Sequence, residues 1–508
     1  MSTRTSRAIS GTLTSCLQFG LQLGLQAVLA PLVLRVTGQE TLGAYAVLMQ
    51  AIEYLALVDL GFGVALGRYL AQACGYEDGR RRFRDVFRTG RTFYLASNTV
   101  FGILLVGFSA YAGTLFSLSS SVEHQARIGL WILAAWSVVR TPLAVYSGAL
   151  IATQNLAAAN LISISGNAVR LLSALGLVMM GMGLIGLMLA NVLAEVVTFV
   201  LQRWYYSRLY PDDRFGWGIP DSRLFREMIR FSAGFLLVII GGRLALSTDA
   251  LVVGKLFGGA AASVYYTTQM PTFLLVALIW KIADNAAPAL NELHGRQAIV
   301  PLQRAYLRLL RYSLLLAVGL ALGLLAFNRM LITLWVGEAQ YAGRVMTVAL
   351  ALYCIGAAAN HVNALVLMVH GTMRCLSIWS IAGGVANLIL SVCLGKVIGL
   401  QGVMVATTVV DAVGLVILGS YGLRLFKVTF LEAWREAIAP ALVANLFALP
   451  IFALAHLWQG TATWPWLLIW TSAFVLAWTV GTAAAGLTKA DFGLLRDYFG
   501  RAIAAMRD

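Results

Sequence analysis

Long apolar segments recur along the whole chain, and they limit its fold more than any other feature. Fourteen stretches of about 20 or more residues are almost free of charged side chains, and a helix of about 20 apolar residues spans the roughly 30 Å hydrocarbon core of a bilayer. The pattern therefore predicts an all-α membrane protein with about fourteen transmembrane helices. The predicted spans are residues 10–35, 42–70, 92–115, 127–152, 158–180, 184–204, 231–256, 262–289, 312–335, 345–370, 375–396, 400–424, 438–457 and 465–487.

The overall composition excludes a water-soluble protein of this length. Hydrophobic residues make up 60% of the 508 residues and charged residues only 12%, whereas soluble domains carry about 25% charged residues. The chain has too little charge to cover its apolar surface in water. The first apolar stretch exceeds the roughly 7–15-residue apolar core of a cleaved signal peptide, so we expect it to be retained as a helix.

Basic residues concentrate on one side of the predicted topology. Fourteen spans place both termini on one side, and the positive-inside rule makes the basic side cytoplasmic. The net charge of +15, including the run RRRFR at 80–84, is then explained by loops that face anionic lipid headgroups, and no nucleic acid is needed. The basic residues on this side are Arg80, Arg81, Arg82, Arg84, Arg88, Arg91, Arg203, Arg208, Arg214, Arg223, Arg226, Arg296, Arg304, Arg308, Lys427, Arg435, Lys489, Arg496, Arg501 and Arg507.

Sequence signatures of enzymes and metal sites are missing. The five cysteines include no CxxC spacing, which argues against a zinc site or a disulfide framework. The stretch GMGLIG at 181–186 spells a dinucleotide-binding fingerprint, but it lies between two apolar helices and not after a strand. No P-loop, HExxH or GxSxG motif occurs. We therefore expect no catalytic residues, no cofactor and no metal.

The two halves of the chain resemble each other at a nearly constant offset. A shift of about 220 residues places LVLRVTGQETLGAY (32–45) on VVGKLFGGAAASVY (252–265), and a shift of 216 places GLIGLMLA (183–190) on GLQGVMVA (399–406). We infer a duplication of six helices with the same orientation in both copies. The matched pairs are Arg35 with Lys255, Gly38 with Gly258, Tyr45 with Tyr265, Gly75 with Gly295, and Glu195 with Asp411.

The duplication predicts the domain organisation. We expect an N-terminal lobe at 1–210, a cytoplasmic linker at 211–230, and a C-terminal lobe at 231–430. The last two helices and a cytoplasmic tail occupy 431–508, outside the repeat.

Three stretches resemble a known transporter family. They are LGAYAVLMQAIEYLALVDLGFGVALGRYLA (42–71), DALVVGKLFGGAAASVYYTTQM (249–270) and GALIATQNLAAANLISISGNAVRLL (148–172). With the six-plus-six-plus-two arrangement, they are similar to the polysaccharide-transport branch of the multidrug/oligosaccharidyl-lipid/polysaccharide exporter superfamily, which includes the Wzx-type O-antigen flippases. The resemblance covers roughly residues 10–425.

The resemblance implies a function in the bacterial inner membrane. The expected substrate is an undecaprenyl-diphosphate-linked oligosaccharide of lipopolysaccharide synthesis, moved by alternating access through a cavity between the lobes. Implied partners are membrane lipids and the polymerase or glycosyltransferases that handle the glycan. Two alternatives stay open on the same fold: a lipid II flippase, and a multidrug or cation antiporter. A membrane enzyme of polysaccharide synthesis is disfavoured because the longest polar loop, about Tyr205–Arg230, carries no catalytic motif.

Charged side chains inside the predicted spans are the candidate site residues, because ionisable groups in a bilayer usually face a cavity or a partner. A diphosphate needs basic ligands, and the guanidinium fork matches phosphate oxygens. We expect Arg140 and Arg243, midway along the fourth and seventh helices, to be the main phosphate ligands. The alternative is that such bases neutralise acids, for example Arg243 with Asp249. The full set is Glu53, Asp59, Arg140, Arg170, Glu195, Arg243, Asp249, Lys281, Asp284, His361 and Asp411.

Each remaining candidate has an alternative role. Lys281 and Arg170 are further candidates for substrate binding, although Lys281 lies one turn from Asp284 and is able to pair with it. For ion or proton coupling the candidates are Asp59, Asp249, Asp284 and His361. The other expected roles are pairing with Arg68 for Asp59, helix packing for His361, and structural pairing for Glu195 and Asp411.

Overall fold

The computed structural model is built from helices throughout its described part. It describes residues 20, 24, 27–73, 79–153, 155–211, 220–246, 248–457, 463–488, 491 and 493. Predicted span 10–35 lies largely outside these residues. The helices are α1 Ala27–Thr37, α2 Gln39–Leu55, α3 Phe62–Ala73, α4 Gly79–Ser109, α5 Ala112–Leu115, α6 Ser120–Val139, α7 Thr141–Ala152, α8 Leu156–Met179, α9 Gly183–Leu209, α10 Ser222–Leu246, α11 Asp249–Asp284, α12 Ala287–Gly295, α13 Ile299–Val336, α14 Arg344–Val369, α15 Met373–Ile398, α16 Leu400–Leu425, α17 Phe430–Ala433, α18 Ala439–Leu446, α19 Leu449–Leu457 and α20 Trp464–Gly481.

Half of the twenty helices named above are long and apolar enough to cross a bilayer. Among the described residues ten meet that condition, and up to twelve do if each of two bent helix pairs forms one span. The protein is therefore an all-α, multi-pass membrane protein, as its hydropathy predicted. A count of about fourteen stays a prediction, because part of the chain lies outside the described residues.

Several predicted spans are interrupted where the sequence suggested continuous helices. Helices α6 and α7 meet at 65°, and Pro142 at the start of α7 lacks the N–H that would continue the helical hydrogen bonding. Arg140 therefore lies at a break and not midway along a straight helix. Predicted span 42–70 is interrupted at Leu60 and Gly61, both with positive φ. The turn expected between 256 and 262 is a local break at Gly258 inside α11.

The chain folds as two compact units. Unit 1 comprises Met1–Arg243 with Gly254–Ser263, and unit 2 comprises Leu244–Val253 with Val264–Asp508. Aromatic and aliphatic side chains of α3, α4, α7 and α9 form a buried cluster in unit 1, including Phe62, Phe87 and Tyr206. In unit 2 the corresponding cluster joins α13, α14 and the chain that follows α16, and includes Tyr306 and Val366.

Helix boundaries repeat at the offset found in the sequence. Gly38 and Gly258 share one unusual backbone conformation, with φ/ψ of 89°/174° and 82°/177°. Positive φ favours glycine because it has no Cβ. Helices α4 and α13 begin 220 residues apart, and α9 and α16 begin within one residue of the 216-residue offset. The breaks and starts of helices are thus placed alike in the two halves.

Close helix packing in unit 1 depends on a glycine pair. A Cβ added to Gly43 would lie 1.7 Å from the carbonyl oxygen of Gly259, so Gly43→Ala must push α2 away from α11. We expect a loss of about 1–3 kcal/mol of stability, the usual cost of overpacking, seen as a lower thermal unfolding midpoint in detergent. Gly67→Ala in α3 is the matched control, because nothing lies within 4 Å of its added Cβ. Equal midpoints for the two variants would contradict this packing.

Candidate functional site

A polar cavity lies inside unit 1. Its volume is about 430 Å³, and helices α2, α4, α9 and α10 and the α6–α7 break all contribute to its wall. Apolar side chains make up part of the wall, whereas the charged groups come from four separate elements. The lining residues are Glu53, Ala56, Leu57, Asp59, Gly61, Tyr94, Ser97, Asn98, Phe101, Arg140, Ala144, Ser147, Phe199, Ile239 and Arg243.

Arg140 reaches the cavity from the break between α6 and α7. Its guanidinium donates to the carboxylate of Glu195 on α9, with Nη1 3.1 Å from Oε2, and Nη2 lies 3.4 Å from Oδ1 of Asn98. The indole N–H of Trp136 also donates to Glu195, at 2.6 Å. Glu195 is therefore an ion-pair partner of Arg140, although it does not line the cavity.

Arg243 lines the same cavity from α10. Its guanidinium pairs with the carboxylate of Glu53 on α2, and the hydroxyl of Tyr54 donates to the Arg243 carbonyl oxygen at 2.8 Å. The pairing with Asp249 that the sequence left open is wrong, since Glu53 holds Arg243 and neutral donors surround Asp249. The Arg140 side chain is 25% exposed and the Arg243 side chain is 42% exposed, and both line the cavity.

Asp59 adds a second carboxylate to the cavity wall. It follows α2 in a short 3₁₀ turn, and its Oδ1 is buried without a hydrogen-bond partner among the described residues. The suggested partner Arg68 lies over the ring of Phe231, 4.3 Å from the centroid. The wall therefore carries two basic side chains, Arg140 and Arg243, and two acidic ones, Glu53 and Asp59.

A second polar cluster surrounds Asp249 in unit 2. Asp249 is only 4% exposed, at the start of α11. Its carboxylate accepts hydrogen bonds from Thr407 (2.7 Å), Tyr265 (2.9 Å) and Asn387 (3.2 Å). All three partners are neutral, and they come from α11, α15 and α16. The cluster thus places one carboxylate among hydroxyl and amide groups inside the membrane-spanning part.

The other charged candidates of unit 2 have different surroundings. His361 on α14 shares a 2.8 Å hydrogen bond with Asp284 of α11, and Trp280 stacks on the imidazole. The suggested Lys281–Asp284 pair is therefore wrong, because Asp284 points to His361. Lys281 is exposed and forms no ion pair within the described part of the chain.

Arg170 on α8 is the remaining charged candidate of unit 1. It is half-buried, and its Nε has no hydrogen-bond partner in the described structure. It is not among the residues that line the unit 1 cavity.

Sequence reasoning missed the neutral members of these clusters. Asn387 and Thr407 carry no charge and sit in apolar helices, so a search for ionisable groups passes over them. One signal was available for Tyr265, which the repeat aligned with Tyr45. The Tyr45 hydroxyl accepts a hydrogen bond from Asn191 at 3.0 Å, and in each unit the tyrosine thus contacts a polar group.

Solved transporter structures share this fold. The chain superposes on a lipid II flippase, MurJ, in an inward closed conformation with a TM-score of 0.70, covering 94% of this chain and 98% of that one at 14% identity. It superposes on an inward-facing multidrug resistance MATE family transporter of the MOP superfamily with a TM-score of 0.68, covering 83% and 98% at 14% identity. A MOP superfamily transporter from Pyrococcus furiosus Vc1 gives 0.60, covering 83% and 95% at 14% identity. At these identities the likeness establishes the fold alone.

Sequence comparison identifies a family over more than half of the chain. The family model described as polysaccharide biosynthesis protein matches residues 9–294. A comparison with curated proteins finds no significant match.

Proposed function

We propose that this chain, which belongs to the polysaccharide biosynthesis protein family, is a flippase that moves an undecaprenyl-diphosphate-linked oligosaccharide from the cytoplasmic to the periplasmic leaflet by alternating access. The family's description ties the chain to glycan synthesis, and the fold is that of transporters and a lipid flippase. Lipopolysaccharide O-antigen is the glycan we favour.

The observation that carries the proposal is the pair of arginines on one cavity. A diphosphate cannot cross hydrocarbon bare, so a path for it must replace its hydration with fixed donors. Arg140 and Arg243 both line the unit 1 cavity, and each is held by a glutamate, Glu195 or Glu53. When a diphosphate displaces the glutamate, the arginine exchanges one charge-assisted hydrogen bond for another. Such an exchange keeps binding reversible, which transport requires.

We further propose that Asp249 binds the coupling cation. Hard cations such as Na⁺ prefer oxygen ligands, and the Asp249 carboxylate lies among the hydroxyl oxygen of Thr407 and the amide group of Asn387. The other coupling candidates are weaker. Asp284 is engaged with His361, and Asp59 opens into the cavity that we assign to substrate.

A cation transporter is the second candidate function. The specific observation in its favour is that Glu53 and Asp59 line the cavity together with the two arginines. For that function the carboxylates would contact the substrate, and the arginines would orient them. Charge-neutralising variants distinguish the two, because Asp59→Asn would stop export of a cation and leave glycan export intact.

The proposed location is the bacterial inner membrane with both termini in the cytoplasm. We expect a cysteine at Arg84 to be cytoplasmic and one at Ser120 to be periplasmic, because α4 crosses the membrane between them. In a background with the native cysteines replaced by serine, an impermeant maleimide should label Ser120→Cys in intact cells and Arg84→Cys only after permeabilisation. The opposite pattern would contradict the orientation.

Depletion of the protein tests the function in cells. Lipid-linked oligosaccharide should accumulate in the cytoplasmic leaflet, and the surface glycan should disappear. Wild-type protein should restore export. Normal export after complete depletion, in a strain without a second family member, would reject the proposal.

A further inference from the structure

The repeat places an acid at one position of each unit, Glu195 in unit 1 and Asp411 in unit 2. The two carboxylates have different hydrogen-bond donors. In unit 1 Glu195 of α9 receives donors from Trp136 and from the guanidinium of Arg140. The offset of 216 residues matches Glu195 with Asp411 of α16. The offset of 220 residues matches Trp136 with Gly356 and Arg140 with Asn360, both on α14.

The structure reproduces the contact in unit 2 with a neutral donor. The side-chain amide of Asn360 donates to Oδ1 of Asp411 at 2.8 Å and also to the Asp411 carbonyl oxygen at 2.8 Å. The indole donor has no counterpart, because its position is Gly356. A Cβ there would lie 2.0 Å from Oδ2 of Asp411, so the carboxyl rests against bare backbone.

The second carboxyl oxygen is therefore left without compensation. Oδ2 of Asp411 is buried and has no hydrogen-bond partner in the described part of the chain. Asp411 also forms no ion pair there. Helix α16 is apolar over a length that crosses a bilayer, with Asp411 near its middle. An isolated carboxylate in such surroundings is so costly that the group takes up a proton instead.

Among the described residues, helices α14 and α15, which pack against α16, place no cation in contact with Asp411. Helix α14 carries Tyr353 and Cys354 near Asp411. His361 of the same helix shares a hydrogen bond with Asp284. Helix α15 carries Trp379 beside Gly414, one turn beyond Asp411. The cations of α15 are at its two ends, Arg374 and Lys396.

We propose that Asp411 is a proton-binding site, at which unit 2 holds a neutral carboxyl where unit 1 holds an Arg–Glu ion pair. The proton is bound to Oδ2, the oxygen without a hydrogen-bond partner in the described structure, and the Asn360 amide donates to Oδ1. The site is separate from Asp249, whose carboxylate has three donors. The inference goes beyond the flippase proposal and does not depend on it, since it concerns the protein without substrate.

A hydrophobic carbodiimide tests the site directly. The protonated acid adds across the carbodiimide to give an acylisourea, which rearranges to a stable acylurea on the same residue, whereas the ionised form does not react. Mass spectrometry of the purified protein in lipid should find dicyclohexylcarbodiimide on Asp411 at neutral pH, with less at alkaline pH. Glu195 should react much less than Asp411, because the guanidinium of Arg140 and the indole of Trp136 already donate to its carboxylate oxygens.

Reciprocal variants show whether labelling depends on the proton of the carboxyl group or only on access of the reagent. Asn360→Arg should reduce labelling of Asp411 by at least about tenfold, since a cation within contact distance favours the carboxylate. Arg140→Asn should make Glu195 reactive. Infrared difference spectra of wild type against Asp411→Asn need no reagent access, and they should show the carbonyl band of a protonated carboxylic acid only in wild type.

The outcomes decide the matter independently of transport. A missing infrared band, or Asp411 labelling that Asn360→Arg leaves unchanged, would overturn the proton site. If Asn360→Arg does not fold, the Arg140→Asn and Asp411→Asn arms still decide it. If the wild-type protein does not flip the glycan lipid but Asp411 is still labelled by the carbodiimide, the flippase proposal fails and the proton site stands.

Discussion

Exchanging the charges of Arg140 and Glu195 is expected to abolish glycan export while the protein still folds. Arg140→Glu alone breaks a partly buried ion pair and places a second carboxylate beside Glu195, so lost export would be ambiguous. The double variant Arg140→Glu/Glu195→Arg restores the pair but moves the cation to Glu195, a position that does not line the cavity. A bidentate guanidinium–phosphate contact is worth about 3 kcal/mol, so export should fall by roughly a hundredfold.

The controls for this exchange use the same pair of helices. Arg140→Lys should reduce export less than the double variant does, since the charge survives and only the fork is lost. Protein amount and thermal unfolding midpoint should match wild type for the double variant. If the double variant exports glycan at the wild-type rate, the ion pair is structural and Arg140 is not a phosphate ligand. Arg243→Glu, which removes the guanidinium that pairs with Glu53, is the corresponding test on α10.

Replacing Asp249 by asparagine is expected to remove the dependence of transport on a cation gradient. The change keeps the shape of the side chain and removes its charge, so a bound cation loses its only anionic ligand in the described cluster. Flipping in proteoliposomes should continue slowly and at the same rate with or without an imposed Na⁺ or proton gradient. Separate gradients of the two ions identify which one couples.

Two adjacent threonines provide a matched pair of controls for that experiment. Thr407 donates to the Asp249 carboxylate, whereas the Thr408 hydroxyl donates, within the described structure, to the backbone carbonyl oxygens of Ala349 and Met404. Thr407→Val should weaken cation dependence by about 10- to 100-fold, as loss of a ligand's supporting hydrogen bond does. Thr408→Val should leave it unchanged. An Asp249→Asn protein with full gradient dependence would eliminate Asp249 as the coupling site.

Hydropathy predicted the fold because lipid imposes a simple rule on sequence. Every span must hide its backbone in a helix and present apolar side chains, so helix positions are visible in the sequence. Helix breaks were harder to predict. Span 127–152 was predicted as one helix although Pro142 interrupts it, and the turn predicted between 256 and 262 is only a local break at Gly258, where φ is positive.

The candidate site was predictable in its charged members and not in their partners. Arg140 and Arg243 stand out because charge is rare in the spans, and the structure brings both to one cavity. Their roles as phosphate ligands stay predictions. Glu195 and Glu53 lie 55 and 190 residues from the arginines that they contact. Nothing local in the sequence links residues at such separations, so the sequence favoured other partners for Arg243 and Asp284.

The most direct test of the central claim is flipping by the purified protein. Proteoliposomes would contain an undecaprenyl-diphosphate-linked oligosaccharide in both leaflets, and a membrane-impermeant glycosidase would remove the glycan from the outer one. With wild-type protein, lipid from the inner leaflet should also be flipped outward and digested. With the Arg140→Glu/Glu195→Arg protein, digestion should stop when about half of the glycan lipid has been cut. Digestion that stops near half with the wild-type protein as well, as in protein-free vesicles, would contradict the assignment of this chain as a flippase for that lipid.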